Sequence, residues 1–139
     1  MTVIELGAGS GRFGFYLLRA LATAFERAGD PAPPFRVVMT DLAERNLAAW
    51  AEHPRLWPYV AQGLLDFARF DADQPGPLAL RVSGEVLAPD PDGEPVIAIA
   101  NYFFDSITHD AYRIDDGQVR GGQVALAGPG DRASAVRDP

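Results

Sequence analysis

The 139-residue chain contains no cysteine, which excludes disulfides, thiolate metal sites and a cysteine nucleophile together. Histidine is almost absent: His53 and His109 are the only two, so no histidine-built zinc site and no metal are expected. Clustered positive charge is also missing. Basic residues are scattered singly, the net charge is −7 and the isoelectric point is near 4.6. Such a field repels a nucleic-acid backbone, so the expected partner is a small molecule or a protein. No apolar run is long enough to span a bilayer, and the first residues lack the basic-then-apolar pattern of a secretory signal. No membrane contact and a cytoplasmic location are the corresponding expectations.

What is present suits an ordinary globular domain, with 47% hydrophobic and 22% charged residues. A chain of this length buries about two-thirds of its unfolded surface around one core. The first apolar residues, Val3, Ile4 and Leu6, run straight into Gly7-Ala8-Gly9-Ser10-Gly11, as a buried strand enters a glycine-rich turn. Phe13, Leu17, Leu18, Leu21 and Phe25 then recur at helical spacing, and Gly29 is placed to end that helix. Asp30-Pro31-Ala32-Pro33-Pro34 cannot continue it, and residues 35–40 form a second β-rich run ending at Asp41. The result is a β-α-β unit with parallel strands.

A second helix is expected over residues 42–53 and a short helical connection over 55–61. Residues 64–70 are assigned to a strand because the β-α alternation requires one, and 78–87 to a strand or hairpin arm. The uninterrupted apolar run 95–100 reads as a strand in the middle of a sheet. Asp115-Asp116-Gly117 marks a hairpin between 111–114 and 118–126. One domain over residues 1–126 and a flexible tail over 127–139 are expected.

In an open α/β sheet, ligands lie beyond the carboxyl ends of the strands. The candidate ends are residues 5–11, Asp41, residues 70–72 and residues 101–105. Missing side chains at Gly7, Gly9 and Gly11 allow a ligand close to the backbone. The same stretch also contains Gly9-Ser10-Gly11-Arg12-Phe13-Gly14, a literal G-x-G-x-x-G. However, the glycine directly after the strand is Gly7, and its frame has Arg12 in the third glycine's place. Asp41 suits either two ribose hydroxyls or the start of the next helix.

Glu5, Gly7, Gly9 and Gly11 resemble, position by position, the first motif of class I S-adenosylmethionine-dependent methyltransferases. The resemblance implies a Rossmann-like class I methyltransferase fold, a mostly parallel sheet flanked by helices, and S-adenosylmethionine as cofactor. It implies that the glycine loop wraps the methionine part, with Glu5 supporting the loop or the amino group. Asp41 would bond the ribose, with Leu42 beside it, and Asp71 would accept from the adenine amino group. Asn101 and Asp105 would stand beside the reacting methyl, Asn101 touching the cofactor, and would orient the acceptor or take its proton.

Residues 99–114 further resemble the Asn-Glu-Phe-Phe-Asp-Ala-Leu-Pro signature of MidA-like methyltransferases, matched by Asn101, Phe103, Phe104 and Asp105. Tyr102 stands where that signature has Glu and Thr108 where it has Pro, so an arginine acceptor is not implied. A complete class I methyltransferase carries seven strands. This chain supplies about four and a hairpin, so the C-terminal strands are expected to be lacking, or supplied by another chain or domain. Three readings follow: a methyltransferase acting on a protein or small molecule, a non-catalytic S-adenosylmethionine-binding or assembly module, and an NAD(P)-dependent oxidoreductase.

Overall fold

The computed structural model describes residues 1–29, 35–90 and 92–122. They fall into two compact units, one ending at Ile107 and one beginning at Thr108, each taken by itself below.

The first unit runs β1 (Thr2–Leu6), α1 (Arg12–Ala28), β2 (Arg36–Asp41), α2 (Glu44–Ala51), α3 (Trp57–Ala61), β3 (Leu65–Arg69), β4 (Leu78–Ala79), β5 (Val86–Leu87) and β6 (Val96–Ala100), then a 3-10 turn at Phe104–Ser106. Four strands form an all-parallel sheet in the order β3-β2-β1-β6. The architecture is therefore α/β, and all four carboxyl ends lie along one edge. Helix α1 begins at Gly11 and stops at Gly29, both in the left-handed region. The Gly29 N–H bonds back to the Phe25 and Glu26 carbonyls, closing the last turn. No described helix is long and apolar enough to cross a membrane.

Strand alternation divides the core into two. Val3, Val37, Met39, Leu65 and Phe67 project to the helical side, where Leu18, Leu47, Trp50 and Val60 meet them. On the other side Val38 and Ala68 pack with Leu80, and Ile4, Leu78 and Leu87 close around them. The small β4–β5 hairpin thus covers β2 and β3 in place of a helix, joined to β3 through an Ala68–Leu80 bridge.

Asp66 fixes that hairpin. Its buried carboxylate accepts from the Phe67 N–H (2.7 Å), the Val82 N–H (2.9 Å) and the Ser83 N–H (3.0 Å). Burial alone would raise its pKa, but these donors outweigh that cost and hold it below the usual carboxylate value. Nothing in the sequence pattern singles Asp66 out.

The strand expected over 64–70 is present as β3, and 78–87 folds as the β4–β5 hairpin. The run 95–100 does form a strand, but its place is corrected: among the described residues β6 pairs only with β1 and lies at the sheet's edge. Val96 is 55% and Ile97 46% exposed. An unbroken apolar run shows that a strand can tolerate burial on both faces; it does not specify which element provides the cover.

In the second unit β7 (Tyr112–Asp115) and β8 (Gln118–Gly121) pair antiparallel around Asp116 and Gly117, both with positive φ, as the Asp-Gly signal requires. The rest of the second expected arm, residues 123–126, and the tail 127–139 lie outside the described residues.

Replacing Asp66 by Ala leaves three backbone donors without their acceptor and is expected to cost roughly 3 kcal/mol, measured by denaturant unfolding. The loss should be greatest near neutral pH. Because the folded pKa is depressed, the contribution is present above the unfolded value and fades as pH falls through the folded one. Val96→Thr, at the open edge, is expected to cost under about 1 kcal/mol.

Candidate functional site at the carboxyl edge of the sheet

The glycine loop leaves β1 and is bound at once to β2. The Ala8 N–H donates to the Thr40 carbonyl at 2.8 Å, and the Thr40 hydroxyl donates to the Glu5 carbonyl at 2.8 Å. The Gly9 N–H then donates to Asp41 Oδ2 at 2.8 Å, while Asp41 Oδ1 accepts from the Ala43 N–H at 2.9 Å. Asp41 therefore joins the loop to the start of α2, and the loop and the acidic end of β2 share one stretch of the sheet's edge. Each carboxylate oxygen retains a second lone pair for a ligand hydroxyl.

Gly7, Gly9 and Gly11 all have positive φ, between 55° and 73°. Their surroundings differ. A Cβ at Gly7 would meet the Phe103 ring at 3.0 Å, and one at Gly11 would meet the Met39 methyl at 2.7 Å and the Trp50 indole nitrogen at 2.9 Å. At Gly9 only the Gly7 carbonyl oxygen lies as near as 4.0 Å. Gly9 is thus the position whose missing side chain leaves open space for an approaching ligand.

Glu5 is buried beneath the first turn of α1 rather than on the open edge. A Cβ on Gly14 would fall 2.5 Å from Glu5 Oε2 and 2.9 Å from Met39, so Gly14 lets the helix settle on this carboxyl. Oε2 has no hydrogen-bond partner. Burial pushes the Glu5 pKa up to about 7, only partly offset by the Gly14 N–H. The carboxyl is met by α1, through Gly14.

Leu42 is 54% exposed next to Asp41. Asp71 is engaged locally: its Oδ1 accepts from the Asp73 N–H at 3.1 Å and its Oδ2 from Arg69 at 3.4 Å. Asn101 and Asp105 are exposed beyond β6, and among the described residues neither side chain is hydrogen-bonded. Phe103 returns to cover Gly7 and packs against Phe70 with ring centroids 6.0 Å apart, whereas Phe104 is 61% exposed. His109 belongs to the second unit. No group of three or more acidic or histidine side chains suited to a metal occurs among the described residues.

Two features escaped the sequence reading. Trp50, visible only as part of an apolar helix face, donates its indole N–H to the Gly9 carbonyl at 3.2 Å. Tyr102 holds φ at 51°, a left-handed conformation in a non-glycine residue, where the chain turns from β6 towards Phe103.

Glu5→Gln should change the pH dependence of stability. With the folded pKa near 7 and the unfolded value at 4.5, the wild type loses stability as pH rises from 4.5 through about 7. The amide has no such penalty, so the melting temperature of Glu5→Gln relative to wild type is expected to climb across that interval; a constant difference would show that Glu5 ionises normally. No protein-family model, curated protein or solved structure matches the chain.

Proposed function

We propose that the chain is an S-adenosylmethionine-dependent methyltransferase domain with a Rossmann-like class I fold, acting on a protein or small-molecule acceptor. The observation that carries this reading is the 2.8 Å bond from the Gly9 N–H to the Asp41 carboxylate. It brings an open-faced glycine loop and a hydroxyl-binding carboxylate within reach of one adenosyl ligand. The motif resemblance over residues 5–11 and 101–105 and the strand order β3-β2-β1-β6 also support it.

When bound, S-adenosylmethionine would supply an electrophilic methyl on a sulfonium whose thioether leaves without needing a proton. The chain's own residues then have mainly a positioning task, worth on the order of 7–11 kcal/mol where reactants are well oriented. Gly9 admits the ligand to the backbone, Asp41 bonds the ribose hydroxyls, Leu42 offers an apolar contact for the base, and Glu5 holds the loop from below. Asn101 and Asp105, whose side chains have no hydrogen bond among the described residues, orient the acceptor or take its proton. Asp71 remains a candidate acceptor for the adenine amino group only by giving up its bond to Arg69 or sharing it.

Another chain or domain completes the sheet beyond β6 in this reading. Supporting this is the outer edge of β6, which is unpaired among the described residues. Binding without turnover, as an assembly module, is the same site without an acceptor. One observation favours the oxidoreductase reading. Gly14 makes the close helix-to-sheet approach that the third glycine of a dinucleotide motif provides, in the frame Gly9, Gly11, Gly14.

Thermal shift with S-adenosylhomocysteine and with NAD separates the two. A ligand at a hundred times its dissociation constant stabilises by about 2.7 kcal/mol, and the expected result is a shift with S-adenosylhomocysteine alone. Calorimetric titration should show affinity falling about tenfold or more in Asp41→Asn and further in Asp41→Ala. Unchanged affinity in both variants, or a shift with NAD only, would remove the proposal.

A further inference from the structure

Beside the first turns of α1 lies a cavity, of about 260 Å³, between that helix and the segment following α2. Its polar lining comes from Ser10, Arg12, His53 and Arg55. No carboxylate lines it, although the chain carries 19 acidic residues against 12 basic ones. Among the described residues neither Arg12 nor Arg55 is in an ion pair. The Arg12 guanidinium rests 5.9 Å from the centre of the Tyr16 ring, itself part of the wall. The Arg55 backbone N–H donates to His53 Nδ1 at 3.3 Å, which leaves the other ring nitrogen, Nε2, free for a ligand. The remaining walls are Gly11, Leu56 and the aromatic Phe15, Tyr16 and Trp50.

We propose that this cavity is a binding site for a small, flat molecule bearing an oxyanion, adjoining the methyl-donor site, whose glycine loop supplies Ser10 and Gly11 to its wall. Two arginines lining one cavity, neither in an ion pair among the described residues, match a carboxylate or phosphate, which each guanidinium can engage through two parallel N–H bonds. The aromatic walls take the planar body, and such rings add stacking energy beyond the area they bury. The volume is at the small end for ligand pockets, which suits one substituted ring and excludes a folded partner. The inference does not depend on the methyltransferase reading, because Arg12, His53 and Arg55 are not assigned to S-adenosylmethionine.

Trp50 provides the signal. In a Trp57→Phe background, which removes the other, half-exposed tryptophan, fluorescence is titrated with phenyl phosphate, benzoate, inorganic phosphate and phenol. A saturable change is expected with phenyl phosphate, benzoate or both, tighter than with inorganic phosphate and absent with phenol. Arg12→Gln and Arg55→Gln, both at exposed side chains, should each weaken it by about tenfold. No saturable change with either aromatic anion overturns the proposal. So does equal affinity for inorganic phosphate, or affinity preserved within about twofold in both arginine variants.

Discussion

The site depends on how Asp41 divides its carboxylate. One oxygen takes the Gly9 N–H and the other the Ala43 N–H, so a single side chain anchors both the loop leaving β1 and the segment entering α2. Charge-assisted bonds of this kind are among the stronger ones available to a backbone donor. Without it, a loop whose glycines explore both halves of φ space would have many conformations to choose from. The same carboxylate is the group proposed to meet a ligand's hydroxyls, and since each oxygen keeps a second lone pair, that role is compatible with the structural one. Its internal bonds orient the lone pairs that remain.

The second constraint is the closeness of α1 to the sheet. Gly14 allows the helix to press on Glu5 and Met39, and Gly11 allows the Trp50 indole to reach the Gly9 carbonyl. Tight packing leaves Glu5 Oε2 without a hydrogen-bond partner, and burial of the carboxyl, only partly offset by the Gly14 N–H, raises its pKa. The glycine loop is thus held by Asp41 at the Gly9 amide and by Trp50 at the Gly9 carbonyl, while the Glu5 carboxyl lies under the helix that follows it.

Much of this architecture could be read from the sequence, because it is encoded locally. The glycine caps and apolar spacing of α1, the end of β2 at Asp41 and the Asp-Gly hairpin all depend on neighbours a few residues away. What was not legible depends on partners distant in sequence. Asp66 binds amides 16 and 17 residues further on, and Trp50 binds a carbonyl 41 residues before it. The edge position of β6 was missed for a related reason: composition reports what a strand can tolerate, and strand order is decided by what pairs with it. At the site, the alternate glycines and Asp41 were recognisable as a set, whereas the burial of Glu5 and the local engagement of Asp71 required the packing itself.

The three alternate glycines illustrate why a motif is more informative than any one of its positions. All three adopt positive φ, so a turn alone would account for glycine at each. Their neighbours separate the reasons: Gly11 yields to Met39 and Trp50, Gly7 yields to Phe103, and Gly9 faces open space. Phe103 reaches Gly7 only because the chain reverses at Tyr102, whose left-handed backbone costs on the order of 1–3 kcal/mol. That cost is offset by aromatic packing of Phe103 on Gly7 and Phe70. Asn101 and Asp105, before and after Phe103 in the chain, are both exposed. The end of β6 is therefore tied to the loop after β1 through one aromatic contact, and the residues proposed to meet the acceptor take their positions from Gly7.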